Sequence, residues 1–379
     1  MALRILLVLT SLPRLLKNIF SMEDLMKRVV LTGGGTAGHV TPNMAIIPTL
    51  QEKGYDIHYI GSHDGIEKKL IEEMGIPYHP ISTGKLRRYF DVKNFSDPFR
   101  VIKGFSEAKA LMKELKPDVV FSKGGFVAVP VVLAAKSKKI PAIIHESDMT
   151  PGLANKICIP NASKICCNFP ETLEKLPEGK AVVTGTPIRK ELFQGNAAEA
   201  MTFCGFKEIR PTLLIIGGST GSVRVNEAVW NCLDELTKKY NIIHLCGMDK
   251  TNDAYKDVPN YVQFEYVKQE LSGMLALADV VISRAGANAI CELLALRKPS
   301  VLIPLSLEAS RGDQILNARS FDKSGYAKLL MEEDVTNESL LEAVNYVYDN
   351  RDNYIKAMEL SAKTDSITMI VDMIESLIE

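Results

Sequence analysis

The chain has 379 residues, more than one ordinary hydrophobic core organises and enough for two α/β domains. Apolar residues make up 46 % and charged residues 24 %, the balance of a soluble globular protein. The formal net charge of -1 excludes a global field that would draw nucleic acid, so any attraction to a membrane or an anion must come from a local patch.

The first 25 residues stand apart. The apolar run from Ile5 to Leu12 is bracketed by Arg4, Pro13, Arg14 and Lys17, too short to span a bilayer and without a convincing small-residue cleavage site. On a helical wheel Arg4, Ser11, Arg14, Lys17 and Asn18 share one face, so the segment is either a membrane-surface helix or an extension outside the fold. The fold is expected to start at Met26. From Lys27 the rhythm is strand, glycine turn, helix. Val29 to Thr32 runs into Gly33-Gly34-Gly35, and a helix follows through Ile46 and Leu50 to Gly54. Further strands are expected at Ile57 to Gly61, Tyr78 to Ile81, Val119 to Phe121, Ala142 to Ile144 and Ala181 to Val183. The pattern restarts at Leu213 to Ile216, which ends in Gly217-Gly218-Ser219-Thr220-Gly221, and continues through Ile242, Val262, Val280 and Ser300. Strands alternating with helices argue for parallel doubly wound sheets, and the restart argues for two Rossmann-like domains whose ligands lie in the cleft at the strands' carboxyl ends. The expected boundaries are 26–186, 187–350 and a C-terminal helix over 351–379 packing back on the first domain. The seven cysteines (Cys158, Cys166, Cys167, Cys204, Cys232, Cys246 and Cys291) show no zinc spacing and read as small buried apolar side chains.

Glycine lets the backbone approach a ligand, and the following helix N-terminus offers unpaired N–H groups. Gly33 to His39 therefore suits a diphosphate or a sugar edge. No Gly-Lys-Ser/Thr follows, so it is not a P-loop, and the second strand ends at Ser62-His63 rather than at a ribose-binding acid, although Asp64 is near. Gly217 to Ser222 repeats the geometry, as does Ser283 to Asn288, which opens the helix holding Glu292. Glu292 is either a residue placed by helix electrostatics or a carboxylate that accepts from a ribose diol. Asp313, Gln314 and Asn317 are placed to read sugar hydroxyls, with Asp313 as a helix cap the plainer alternative. Arg189 reads as a phosphate contact or an exposed ion pair.

Taken in order, Gly34 to Pro42, Ile144-His145-Glu146, Gly152 to Lys156, Gly185 to Arg189, Gly217 to Ser219, Arg284 to Ala287 with Glu292, and Asp313-Gln314 with Asn317 form a specific set. From Met26 to the C-terminus the chain resembles the MurG family of bacterial cell-wall N-acetylglucosaminyltransferases. The resemblance implies a GT-B fold and transfer of N-acetylglucosamine from UDP-N-acetylglucosamine, with inversion, to the MurNAc 4-hydroxyl of undecaprenyl-linked lipid I, giving lipid II for peptidoglycan. It implies a donor site of Thr36, Ala37, Gly38, Arg189, Gly218, Ser219, Tyr266, Val267, Arg284, Gly286, Ala287, Glu292, Asp313 and Gln314. Gly34, Gly35, His145 and Asn155 fall on the acceptor side. The chain departs from the family's usual residues at Ala37, Ser147-Asp148 and Thr220.

Such a transfer needs a base for the acceptor hydroxyl and stabilisation of the departing diphosphate. His39 is the first choice of base, since a histidine titrates near neutrality; Asp148 and His145 are rivals. Helix N-termini with Arg189 and Arg284 stabilise the leaving group. No Asp-x-Asp sequence follows a predicted strand, so no metal or other cofactor is expected. The segment from Lys85 to Phe99 interleaves cations with aromatics, the composition of a patch docking peripherally on the cytoplasmic face of the membrane; no nucleic acid partner is expected. Three other readings share the pattern: a glycolipid synthase acting on diacylglycerol, a UDP-N-acetylglucosamine 2-epimerase, and a non-catalytic nucleotide-binding protein.

Overall fold

A computed structural model describes residues 26–84, 93–218, 220–308, 310–361 and 365–378. Residues 1–25, the stretch 85–92 of the cationic–aromatic segment, and Ser219 lie outside the described residues.

The first sheet contains β1 (Arg28–Thr32), β2 (Asp56–Ser62), β3 (Tyr78–Ile81), β4 (Val119–Ser122), β5 (Ala142–Glu146), β6 (Lys164–Cys167) and β7 (Ala181–Val183), in the order β3-β2-β1-β4-β5-β6-β7. The second contains β8 (Thr212–Ile216), β9 (Asn241–Leu245), β10 (Tyr261–Phe264), β11 (Val280–Ser283), β12 (Ser300–Leu302) and β13 (Lys328–Leu329), in the order β10-β9-β8-β11-β12-β13. β1 pairs in parallel with both β2 and β4, and β8 with both β9 and β11. Strand order therefore reverses beside β1 and beside β8. A doubly wound sheet leaves its ligand crevice at the carboxyl ends of the strands at such a reversal. Thr32 lies opposite Ser122 and Ile216 opposite Ser283, so the chain enters a glycine turn on both sides of each crevice.

The described residues fold as two compact units, one of 26–143 with Asn161–Ser163 and 371–378, the other of Ile144–Pro160 with Lys164–Ile370. In the second unit the strand residues alternate between two cores. Leu214, Ile243, Val281 and Leu302 pack on one face of the sheet, and Leu213, Ile215, Ile242, Ile282 and Val301 on the other. Each fully buried aliphatic side chain contributes about 1.5–3 kcal/mol, which is why these strands read as continuous apolar runs.

Two elements differ from the sequence expectation. The stretch read as one C-terminal helix is two, Arg351–Leu360 and Ser366–Ile378. Ser361 stops the first by turning extended (φ -59°, ψ 146°) while its hydroxyl donates to Met358 O at 2.6 Å. β6 and β13 are additions to the strands expected from sequence. No cysteine is in a disulfide, and all but the half-buried Cys291 are buried. No described helix is long and apolar enough to cross a membrane.

Candidate active site

In the first unit, β1 delivers Gly33-Gly34-Gly35 to a short 3₁₀ turn, Ala37–His39, and then the helix Thr41–Glu52. Side chains from elsewhere in the unit hold this turn. The Tyr59 hydroxyl donates to Gly33 O at 2.7 Å, and the Asn43 amide donates to Thr32 O and to Tyr59 Oη, both at 3.1 Å. Buried Glu67 accepts from Gly35 N–H at 3.2 Å and Ser62 N–H at 3.0 Å. A methyl group on Gly34 would overlap that carboxylate, and one on Gly125 would overlap Gly34 O. The tight turn is therefore a packing requirement, and Gly34 shapes it from within.

His39 is half-buried, with Nδ1 at 3.1 Å from Gly34 O and 3.2 Å from Thr36 Oγ1. A carbonyl oxygen only accepts, so Nδ1 carries the proton and Nε2 keeps its lone pair. Burial pushes the imidazole pKa down to about 4, assisted by the nearby Lys123 cation and opposed by the Gly34 hydrogen bond and Glu67. The ring is thus neutral at neutral pH, correctly protonated to accept a proton at Nε2, and a weaker base than a solvated histidine.

In the second unit, three strand ends are tied together by Arg284. It is 7 % exposed; Nη1 donates to Ile303 O at 3.0 Å and Pro304 O at 3.3 Å, and Nη2 to Ser222 Oγ at 2.6 Å and to Glu332. Glu332, also buried, accepts from Ser306 N–H at 3.3 Å. Burial disfavours the Glu332 anion, but Arg284 and the Ser306 contacts hold its pKa below the ordinary carboxylate value. Arg284, expected as a phosphate contact, gives both Nη atoms to protein groups and fixes the loops after β8, β11 and β12, while its Nε is buried without a partner.

Gly218 adopts a left-handed φ of 96°, and Gly286 begins the helix Ala287–Ala295 at φ -66°. A methyl group at either would meet nothing within 4 Å. Further along this helix lies Glu292, half-buried and without a hydrogen-bond partner for its carboxylate among the described residues. Burial raises its pKa, and Arg189 pulls in the opposite direction. Arg189 Nε is itself buried without a partner. Neighbouring unlike charges with unmet hydrogen-bonding capacity are what a polar ligand would complete.

The other expected contacts vary. Gln314 Oε1 accepts from Leu305 N–H at 3.1 Å, and Asp313 pairs with Arg311 at 2.9 Å. Tyr266 is exposed and Val267 buried. Thr36 is exposed, and Ala37 and Gly38 are half-buried in the 3₁₀ turn. Asp148 accepts from Asn317 Nδ2 at 3.1 Å, which competes with a role as base. His145 has no exposed surface and bonds Gly185 O at 2.9 Å through Nε2; Asn155 is buried and donates to Glu146 at 2.9 Å and His145 O at 3.3 Å. Both shape the chain around Glu146, which also accepts from the Asp148 and Gly152 N–H groups, rather than presenting themselves to a substrate. Sequence reading passed over Glu67 and Glu332, and did not foresee Glu146 as a loop organiser or Ser222 as a partner of Arg284. Ser222 had a signal, its place as N-cap after a glycine turn.

Two Rossmann-like domains with glycine turns at their strand reversals are the architecture of the GT-B fold, and the family models make it a glycosyltransferase. The glycosyltransferase family 28 N-terminal domain matches residues 29–167, and the glycosyltransferase family 28 C-terminal domain matches residues 212–373. The UDP-N-acetylglucosamine--N-acetylmuramyl-(pentapeptide) pyrophosphoryl-undecaprenol N-acetylglucosamine transferase of Lachnoclostridium phytofermentans is 65 % identical over 350 residues, covering 92 % of this chain and 99 % of that protein. The crystal structure of Acinetobacter baumannii MurG is 28 % identical with a TM-score of 0.73, covering 92 % of this chain and 99 % of that one. The calicheamicin glycosyltransferase CalG4, 12 % identical with a TM-score of 0.70 over 93 % of this chain and 98 % of that one, shares the fold alone. The chain belongs to the MurG family within glycosyltransferase family 28.

Proposed function

We propose that this protein transfers N-acetylglucosamine from UDP-N-acetylglucosamine to the MurNAc 4-hydroxyl of undecaprenyl-linked lipid I, with inversion, producing lipid II. The observation that carries the reading is the 65 % identity to a transferase named for these substrates over 99 % of its length. The fold does not separate this reaction from transfer to diacylglycerol or from epimerisation of the donor; identity over the whole length favours lipid I.

The second unit supports donor binding. The unmet Glu292 carboxylate suits the ribose diol, Arg189 suits the diphosphate, and the bare backbone at Gly218 and Gly286 lets phosphate oxygens reach N–H groups at helix starts. In this reading Arg284 positions those loops instead of touching phosphate. Gln314, with its oxygen committed to Leu305, offers its amide N–H to a sugar hydroxyl. The residues over 26–186 take the acceptor.

The chemistry is a single displacement. The acceptor O4 attacks the anomeric carbon as its proton passes to His39 Nε2. The carbon–oxygen bond to the β-phosphate breaks, and UDP leaves with the electron pair. No metal enters this scheme. The membrane is approached peripherally from the cytoplasmic side through the Lys85–Phe99 segment. Phe99 and Ile102, both exposed on the helix Lys93–Leu115, support that surface; vesicle binding unchanged in Arg87→Glu/Arg88→Glu would remove it.

The deciding experiment is transfer from labelled UDP-N-acetylglucosamine to a soluble lipid I analogue with EDTA present and diacylglycerol as a control acceptor. Transfer to the lipid I analogue alone is expected. Epimerised donor or glycosylated diacylglycerol instead would overturn the reading.

A further inference from the structure

Arg284 holds the glycine turn after β8 from one side. On the other side the loop after β9 packs against it backbone to backbone. A methyl group on Gly221 would overlap Cys246 O, and one on Gly247 would meet Thr220 O at 2.5 Å. The position of Cys246 O therefore limits how the turn can sit. One side chain grips that oxygen. Asn226, only 1 % exposed on the helix Val223–Asn231, donates its Nδ2 to Cys246 O at 3.0 Å. The helix opens at Ser222, whose hydroxyl caps it by accepting from Val225 N–H. The Asn226 amide thus ties the helix start and the end of β9 to one carbonyl pressed on the glycine turn.

Behind Asn226 stands a line of polar groups. Trp230 Nε1 donates to Tyr261 Oη at 2.9 Å, Tyr261 Oη lies 3.0 Å from His244 Nδ1, and His244 Nε2 lies 3.0 Å from Asn226 Oδ1. The two ends dictate the direction of every bond, because an indole N–H only donates and a carbonyl oxygen only accepts. Cys246 O takes the amide nitrogen of Asn226, so the amide oxygen faces His244 and Nε2 carries the proton. Nδ1 then holds a lone pair and accepts from the Tyr261 hydroxyl, whose oxygen accepts from Trp230. Tyr255 stacks on Trp230 with centroids 5.6 Å apart and fixes the far end. His244 has no exposed surface, and burial pushes its pKa down to about 3, so it stays a neutral link with one donor and one acceptor. A directional buried network of this kind specifies a single arrangement of the backbone it holds.

We infer that His244 is a positioning residue for the donor diphosphate, acting through Asn226 and Cys246 O to set the glycine turn and the helix start where the phosphates bind. The inference rests on the donor site proposed above, so the full-length protein is tested with UDP alone by calorimetry as well as in transfer. His244→Phe keeps a ring but leaves Asn226 Oδ1 and the Tyr261 hydroxyl unpaired. UDP affinity should fall and KM for UDP-N-acetylglucosamine rise, each about tenfold, while kcat at saturating donor stays within about twofold. His244→Gln, whose amide accepts at one atom and donates at the other, should recover most of that loss. Nitrogen-15 NMR of the wild type should show His244 as the Nε2–H tautomer. Tyr261→Phe removes the donor to Nδ1 and should relax that preference and weaken UDP about threefold. UDP affinity unchanged in His244→Phe, a loss confined to kcat, no recovery in His244→Gln, or an Nδ1–H tautomer overturns the inference and leaves the donor site standing. A wild type that fails to bind UDP would bring down the donor site and the inference with it. Should His244→Phe fail to fold, the tautomer and Tyr261→Phe still decide the matter.

Discussion

Gly34 and Gly286 both follow a central parallel strand and both stand just ahead of a helix, yet a methyl group added to each would meet different surroundings. At Gly34 it would run into the buried Glu67 carboxylate, itself held by Gly35 and Ser62. At Gly286 it would enter open space from an ordinary backbone conformation. The first glycine is required by the protein's own packing. At the second the described residues supply no such reason, which is in keeping with the bare backbone proposed there for the donor. Identical-looking turns can thus be told apart by what surrounds the absent side chain.

Four tests would break or sharpen that contrast. The largest effect is expected where the second unit's open turns are held from behind. Glu332→Ala strands buried Arg284 and should cost about 3–5 kcal/mol, read as a lower denaturant midpoint. Because folding depresses the Glu332 pKa, its stabilisation is complete above the unfolded carboxyl value of about 4.3 and is lost as pH falls through the folded value. The acid transition should therefore flatten in the variant. Next comes His39→Gln, expected to lower kcat by about 10²–10⁴. In the wild type the acid limb of kcat/KM should fall near pH 4, and the same limb persisting in His39→Gln would remove His39 as the base.

The glycine pair itself supplies the third test. Gly34→Ala should lose about 1–3 kcal/mol by overpacking and lower Tm. Gly286→Ser gains an N-cap hydroxyl, so Tm should hold or rise while KM for the donor increases. Equal effects on Tm would dissolve the comparison. The smallest change is Glu292→Gln, which keeps an acceptor oxygen and is expected to weaken donor binding by about 0.5–1.5 kcal/mol with Tm unchanged, measured by calorimetry with UDP.

The strands and glycine turns were legible because their signals are local. Val29 to Thr32 and Leu213 to Ile216 are apolar runs ending in glycine, and a parallel strand buried on both faces has no other way to look. β6 was missed because Ile165-Cys166-Cys167 is short and no glycine turn follows it, and β13 because two residues carry no period. Within the site, the motifs gave positions along the chain without revealing which way the side chains face. His145 and Asn155 turn inward, and Arg284 gives its two Nη atoms to carbonyls, Ser222 and Glu332. Glu67 and Glu332 were invisible for a related reason. Each supports a turn more than twenty residues away in sequence, and only the folded chain brings a carboxylate to backbone it was never near.

The burial of the cysteines has a practical corollary for chemical labelling. Burial drives the Cys158, Cys167 and Cys246 thiols up to about 12, far from the thiolate form that reacts. Cys291 is the one thiol not fully enclosed, and it sits on the helix that begins at Gly286 and carries Glu292. A small alkylating dye should therefore attach first at that single position, giving a fluorescent reporter one residue from the proposed ribose contact without any cysteine being engineered in or out.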